Sequence, residues 1–239
     1  DESGTGRDFR TQFFNWLHGV NADGGTPLRR ALDDAGRYYQ RTGDRGPWST
    51  TPGFTGGENF ECRQSYTVLM TDGYWNGDAA TVATGNVDGS DGVVHRAPDG
   101  RTYQYRAGPP FEDVHSDTLA DVAMYYWKND LQPDMANRVP YTSFNPAFWQ
   151  HMVTYGVGLG VSGTIDPGTA WAALENRTPI AWPNPHSTTD PRFKLDDLLH
   201  AAINSRGGFF SAQDPETFSS ELSGVLRNII DRGNSSSAA

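Results

Sequence analysis

The sequence predicts an α/β fold: a mostly parallel sheet covered by helices, incomplete as a sheet and interrupted by long loop and hairpin insertions. Short apolar runs at 66–70, 152–161 and Phe209-Phe210 read as strands. Amphipathic stretches with helical spacing lie between and around them. Near-continuous apolar strands separated by helices favour parallel pairing under a helical layer.

The first helix is expected at 9–17. A second begins at Thr26-Pro27 and places Leu28, Ala31, Leu32, Ala35, Tyr38 and Tyr39 on one face. Thr26 suits the N-cap and Pro27 the first helical turn. The strand at 66–70 ends in Thr71-Asp72-Gly73. A third helix is expected over 117–129, with the stripe Leu119, Val122, Ala123 and Tyr126 and with Ser116 or Asp117 as cap. The strand at 152–161 is interrupted by Gly156, Gly158 and Gly160. A short helix at 195–204 carries Leu198, Leu199, Ala202 and Ile203. A last helix over 215–230 carries Phe218, Leu222, Val225, Leu226, Ile229 and Ile230 after Asp214. The insertions are 41–62 and 74–115. In the second, Pro98-Asp99-Gly100 reads as a hairpin turn. Residues 176–193 read as irregular, 1–232 as one domain, and the Ser/Ala-rich 233–239 as a linker.

Composition narrows the function. The 239 residues carry a net charge of −10. Nucleic-acid binding needs clustered Lys and Arg, so nucleic acid is excluded as a partner, and an anionic membrane surface, which selects the same residues, is disfavoured. No run reaches the length of a membrane span. The single cysteine, Cys62, reads as a small buried residue at a strand start or as half of a bond to a cysteine elsewhere.

Asp72 stands one residue past an apolar strand, where ligands of open α/β sheets bind and where a carboxylate can coordinate Mg²⁺ or Ca²⁺. Its bland alternative is an Asx-type turn that ends the strand. Gly24-Gly25-Thr26-Pro27-Leu28 is either a simple helix start or a close-approach loop with a hydroxyl ligand. Together, Gly-Gly-Thr-Pro-Leu and a later strand ending in Thr-Asp-Gly resemble the von Willebrand factor A family, whose fold is Rossmann-like. The resemblance assigns Thr26 and Asp72 to a metal-ion-dependent adhesion site. That family draws further ligands from an Asp-x-Ser-x-Ser motif after its first strand. Asp1-Glu2-Ser3-Gly4-Thr5 has matching residue types, with Ser3 as an additional candidate, but no strand precedes it. Asp121, on the third helix, is the other additional candidate.

A closer likeness spans most of the chain. The stretches 25–32, 62–66 leading into 70–76, 117–127, 148–152 and 196–202 resemble the PilY family of type IV pilus tip-associated adhesins and assembly proteins. The family's C-terminal β-propeller is missing. The resemblance implies a secreted, surface-exposed protein at the pilus tip, reached through the periplasm and outer membrane. Implied partners are minor pilins, a host or abiotic surface ligand, and an upstream segment of the same protein. Implied roles are pilus priming, retraction control, attachment and surface sensing, without catalysis.

Weaker signals remain. Asn86-Val87-Asp88-Gly89-Ser90-Asp91-Gly92 crowds cation-binding side chains but lacks the late Glu of an EF-hand, and reads as an exposed loop. Gly160-Val161-Ser162-Gly163 misses the hydrolase nucleophile spacing. His151 and His200 read as core histidines, and Trp75, Trp127 and Trp149 as core aromatics. The alternatives are a purely structural assembly domain without metal and a Mg²⁺-dependent hydrolase using Asp72 and Asp121.

Overall fold

Helices and strands are interspersed along the chain, with helices within both connections of the main sheet. In order they are α1 (Phe9–Gly19), α2 (Leu28–Tyr39), β1 (Ser65–Thr71), β2 (Val94–Arg96), β3 (Thr102–Gln104), α3 (Leu119–Lys128), β4 (Met152–Leu159), α4 (Pro167–Asn176), α5 (Phe193–Asn204) and β5 (Phe209–Ala212). The computed structural model describes residues 9–21, 24–212, 216, 217, 219, 220, 223, 224, 226, 227 and 230.

The main sheet runs β1-β4-β5 and is parallel throughout, with Ser65 opposite Met152 and Gly156 opposite Phe209. Parallel neighbours cannot be joined by a tight turn, so the connections pass through helices. Those helices supply the core. Leu69 and Met152 pack with Leu28 and Leu32 of α2, Val122, Ala123 and Tyr126 of α3, and Leu195, Leu198 and Ala201 of α5. Strand alternation sends Tyr66, Val153, Tyr155 and Phe210 to the opposite face. There Val68 and Met70 stay 37% and 46% exposed. β1 is therefore covered on one face only: α2, α3 and α5 lie on the Leu69 side. Among the described residues β1 pairs only with β4, so its outer edge has no strand neighbour. α1 leaves Phe13, Phe14, Trp16 and Leu17 exposed.

The second insertion folds as predicted around an antiparallel hairpin, β2 with β3. Val87, Ala97 and Tyr105 from this insertion pack with Met124 and Trp127 of α3 and with Phe148 and Trp149. Trp75, Trp127 and Trp149 are all buried, as core aromatics should be. Buried aspartates stitch loops to helices. Asp33 of α2 accepts from the backbone of Thr81, Val82 and Ala83 and from the Tyr126 hydroxyl. Burial pushes its carboxyl up, but these donors outweigh that and hold it below the ordinary carboxylate value.

Several local expectations change. α2 starts at Leu28 with Pro27 at the cap and no side-chain cap. α3 is capped by Thr118, not Ser116 or Asp117, in a capping box closed by Asp121. Asp117 instead takes φ 60° and accepts from Gly85 N–H at 2.8 Å. α4 was not foreseen, because it buries only Ala170 and Ala173 and so has almost no apolar stripe. Its start signal is nonetheless present: Asp166 accepts from Thr169 N–H, with Pro167 following. Cys62 is exposed, so the buried reading fails. Between 216 and 230 the chain is helical at every described position, while Phe218, Leu222, Val225 and Ile229 lie outside the described residues.

His151 is buried as expected. Its Nδ1–H donates to Trp149 O at 2.7 Å, and Nε2 accepts from Asn145 Nδ2 at 2.9 Å. Burial lowers its pKa to about 4. A folded value below the unfolded 6.5 means the unfolded chain takes up the proton first. Stability from His151 is therefore complete above pH 6.5 and is lost as pH falls from 6.5 to 4. The loss amounts to about 3 kcal/mol at 1.36 kcal/mol per unit. His151→Gln should flatten the melting-temperature profile across that window, and an unchanged acid limb contradicts the assignment.

Candidate functional site

The carboxyl end of β1 closes in a turn made by Thr71. Its hydroxyl donates to Gly73 O at 3.0 Å and accepts from Gly73 N–H at 3.2 Å. The strand ends without help from Asp72, so the Asx-turn alternative is replaced by a threonine turn. Asp72 is exposed, and its carboxylate accepts no hydrogen bond among the described residues. Four residues on, Asn76 meets the loop that starts α2. Thr26 N–H donates to Asn76 Oδ1 at 2.9 Å, and Asn76 N–H donates to Thr26 O at 2.9 Å. Gly25 permits this approach, since a Cβ there would sit 2.4 Å from Asn76 Oδ1. The Thr26 hydroxyl, like the Asp72 carboxylate, has no hydrogen-bond partner among the described residues.

Asp121 is differently employed. One oxygen accepts from Thr118 N–H and Oγ1–H at 3.0 and 2.8 Å, the other from Val87 N–H at 2.6 Å. It is fully buried. Ser3 lies outside the described residues.

A second group is assembled only by the tertiary fold. Asp88 and Asp113 flank the β2–β3 hairpin, and His200 projects from α5. One ligand atom of each lies within 4.8 Å of the others, so the three can hold a metal ion. Asp88 is fully buried, which corrects the reading of 86–92 as an ordinary exposed loop. Its Oδ1 accepts from Asp113 N–H at 3.2 Å and its Oδ2 from Asn204 Nδ2 at 2.9 Å. His200 stacks on Trp182 with ring centroids 4.0 Å apart and donates from Nε2 to Phe111 O at 2.6 Å. It is thus the core histidine expected, with carboxylates added. Burial first, then Asp121 and Asp113, pushes Asp88 up to about 8, while burial drops His200 to about 3. Sequence reasoning saw the crowded loop and the histidine separately. Residues separated by 25 and 87 positions carry no joint spacing signal.

The chain is 37% identical over 250 residues to the type IV pilus biogenesis factor PilY1 of Pseudomonas aeruginosa strain PAK, covering 93% of this chain and 21% of the relative. It is 38% identical over 255 residues to the protein of the same name from strain UCBPP-PA14, covering 97% of this chain and 21% of that relative. It thus spans about a fifth of the length of the curated relatives it matches. No family profile and no solved structure matches. Among the described residues, no helix is long and apolar enough to cross a membrane. The five stretches that resemble PilY lie within a likeness covering nearly the whole chain, and the α/β architecture with its parallel sheet agrees with a partial von Willebrand A-like fold: the chain belongs to the PilY1 family.

Proposed function

We infer that the chain is a non-enzymatic adhesion and assembly module of a type IV pilus tip protein. In this reading, Thr26 and Asp72 hold a divalent cation, Mg²⁺ or Ca²⁺, and a partner's carboxylate completes its coordination. The supporting observation is the reciprocal hydrogen bonding of Thr26 and Asn76, which draws the start of α2 to the loop after β1, the loop that also carries Asp72, whose carboxylate has no hydrogen-bond partner among the described residues.

The residue types fit a hard cation, but two oxygens fall short of the six that Mg²⁺ prefers or the six to eight of Ca²⁺. The remaining ligands come from an Asp-x-Ser-x-Ser segment elsewhere in the protein, and the open outer edge of β1 offers that segment a strand position. Binding by residues 1–239 alone is accordingly weak. The bound cation supplies Lewis acidity toward the partner, while the surrounding loops select which partner docks. Minor pilins and a host or abiotic surface ligand are the expected partners, outside the cell at the pilus tip. Residues 1–232 form the module and 233–239 the linker. The hydrolase alternative is weakened because both Asp121 oxygens are already engaged.

In a piliated bacterium, Asp72→Ala in the full-length protein is expected to abolish cation-dependent surface attachment to the same extent as EDTA. Attachment at the wild-type level that EDTA still abolishes would refute the Thr26–Asp72 site.

A further inference from the structure

The Asp88–Asp113–His200 group has properties that side-chain packing alone does not explain. Asp88 is fully buried, yet among the described residues no Lys or Arg forms a salt bridge with it. The nearest ammonium, on Lys128, spends its hydrogen bonds on Val87 O at 2.5 Å, Ser90 O at 2.8 Å and Ser90 Oγ at 3.0 Å. Among the described residues, the buried Asp33 and Asp121 carboxylates also lack a cationic partner but are each met by four or more donors, whereas Asp88 accepts only from Asp113 N–H and Asn204 Nδ2.

The histidine tautomer adds a second point. Nε2 lies 2.6 Å from Phe111 O, so it must carry the proton. Nδ1 is left with a lone pair that faces Asp113 Oδ2 at 3.6 Å, acceptor toward acceptor. A ring N–H anchored on a backbone carbonyl, with the other nitrogen free, is the usual setting of a metal-bound histidine. Asn204 supplies an independent observation. It is completely buried and its amide is aimed at Asp88, but its Oδ1 has no hydrogen-bond partner. A cation in the cluster, or a water bound to it, provides the positive end that this oxygen lacks.

We propose that Asp88, Asp113 and His200 bind a first-row divalent metal ion of the zinc class, with the buried Asn204 amide lying against Asp88 at the edge of the site. The mixed imidazole and carboxylate donors select zinc over Ca²⁺, which prefers an all-oxygen shell. Closing on ligand distances of about 2.0–2.2 Å draws the donors in by roughly an ångström. The ion clasps both ends of the hairpin insertion to α5, so its role is to hold the insertion in place. The site uses neither Thr26 nor Asp72.

The test is calorimetric titration of the metal-stripped full chain with zinc, with Mn²⁺ and Ca²⁺ run in parallel. One zinc per chain is expected, with a rise in melting temperature. Asp113→Asn should weaken zinc at least about tenfold, and Asp72→Ala should leave it unchanged. Wild-type zinc affinity in Asp113→Asn, loss of zinc in Asp72→Ala, or preference for Ca²⁺ overturns the proposal. Should Asp113→Asn fail to fold, ring ¹⁵N spectra of the wild type decide: zinc must shift the His200 Nδ1 resonance, and a resonance that stays fixed rejects the site.

Discussion

Replacing Gly207 with alanine is expected to be the most damaging single change in the chain. Gly207 follows α5, and its N–H donates to Ala202 O at 2.8 Å, closing the helix. Next to it, Gly208 O accepts from Gly156 N–H at 2.9 Å, and β5 begins at Phe209. A Cβ on Gly207 would lie 1.8 Å from Thr154 O and 2.6 Å from Thr154 C. Both are backbone atoms of β4, in the centre of the sheet, and neither can swing aside as a side chain would. Relief requires moving the α5–β5 joint away from β4, which breaks the β4–β5 pairing. The expected cost is about 3 kcal/mol or more, at the upper end for overpacking. At roughly 2–4 °C per kcal/mol for a chain of this size, the melting temperature should drop by about 10 °C. Thermal denaturation followed by circular dichroism checks this, and a midpoint within about 2 °C of wild type contradicts it.

Asp197→Ala should rank next. From α5 the carboxylate reaches the start of α3, accepting from Leu119 N–H at 2.9 Å and Ala120 N–H at 3.0 Å, and it also accepts from Trp75 Nε1–H at 3.0 Å. It therefore ties two helices and the loop after β1 together at one buried point and places negative charge at a helix N-terminus. Burial pushes its pKa up to about 7, against the pull of these donors. Truncation strands three buried donors at about 1–3 kcal/mol each, offset by relief of the buried carboxylate. The net expectation is a loss of about 2–3 kcal/mol, read as the denaturation midpoint in urea. Asp197→Asn keeps an acceptor oxygen and should lose about half as much. Equal losses for both variants would mean that the carboxylate's bonds to α3 and Trp75 are not what stabilises this joint.

The fold class was legible because burial imposes period: the stripe Leu119, Val122, Ala123 and Tyr126 faces the sheet as read, and Tyr103 and the residues around Pro98-Asp99-Gly100 form the hairpin as read. α4 was illegible for the converse reason, since a helix that buries two alanines leaves little apolar signal. The exposure of Val68 and Met70 could not be read from their apolarity, because which face of a strand is covered depends on where distant helices dock. The rim of β1 was partly legible. Thr26 and Asp72 each sit in a local motif, but Asn76, which joins their two loops, has no motif of its own. The inner cluster was illegible: Asp88, Asp113 and His200 become neighbours only when the insertion folds back over α5.

The claim that Thr26 and Asp72 share one cation is tested most directly by Mn²⁺ titration of the ¹⁵N-labelled chain, since paramagnetic broadening reports even weak binding. The account predicts that amide signals of Gly25, Thr26, Asp72 and Gly73 broaden together at low Mn²⁺ and recover with excess Mg²⁺. Broadening at one loop without the other, or at neither, would contradict it.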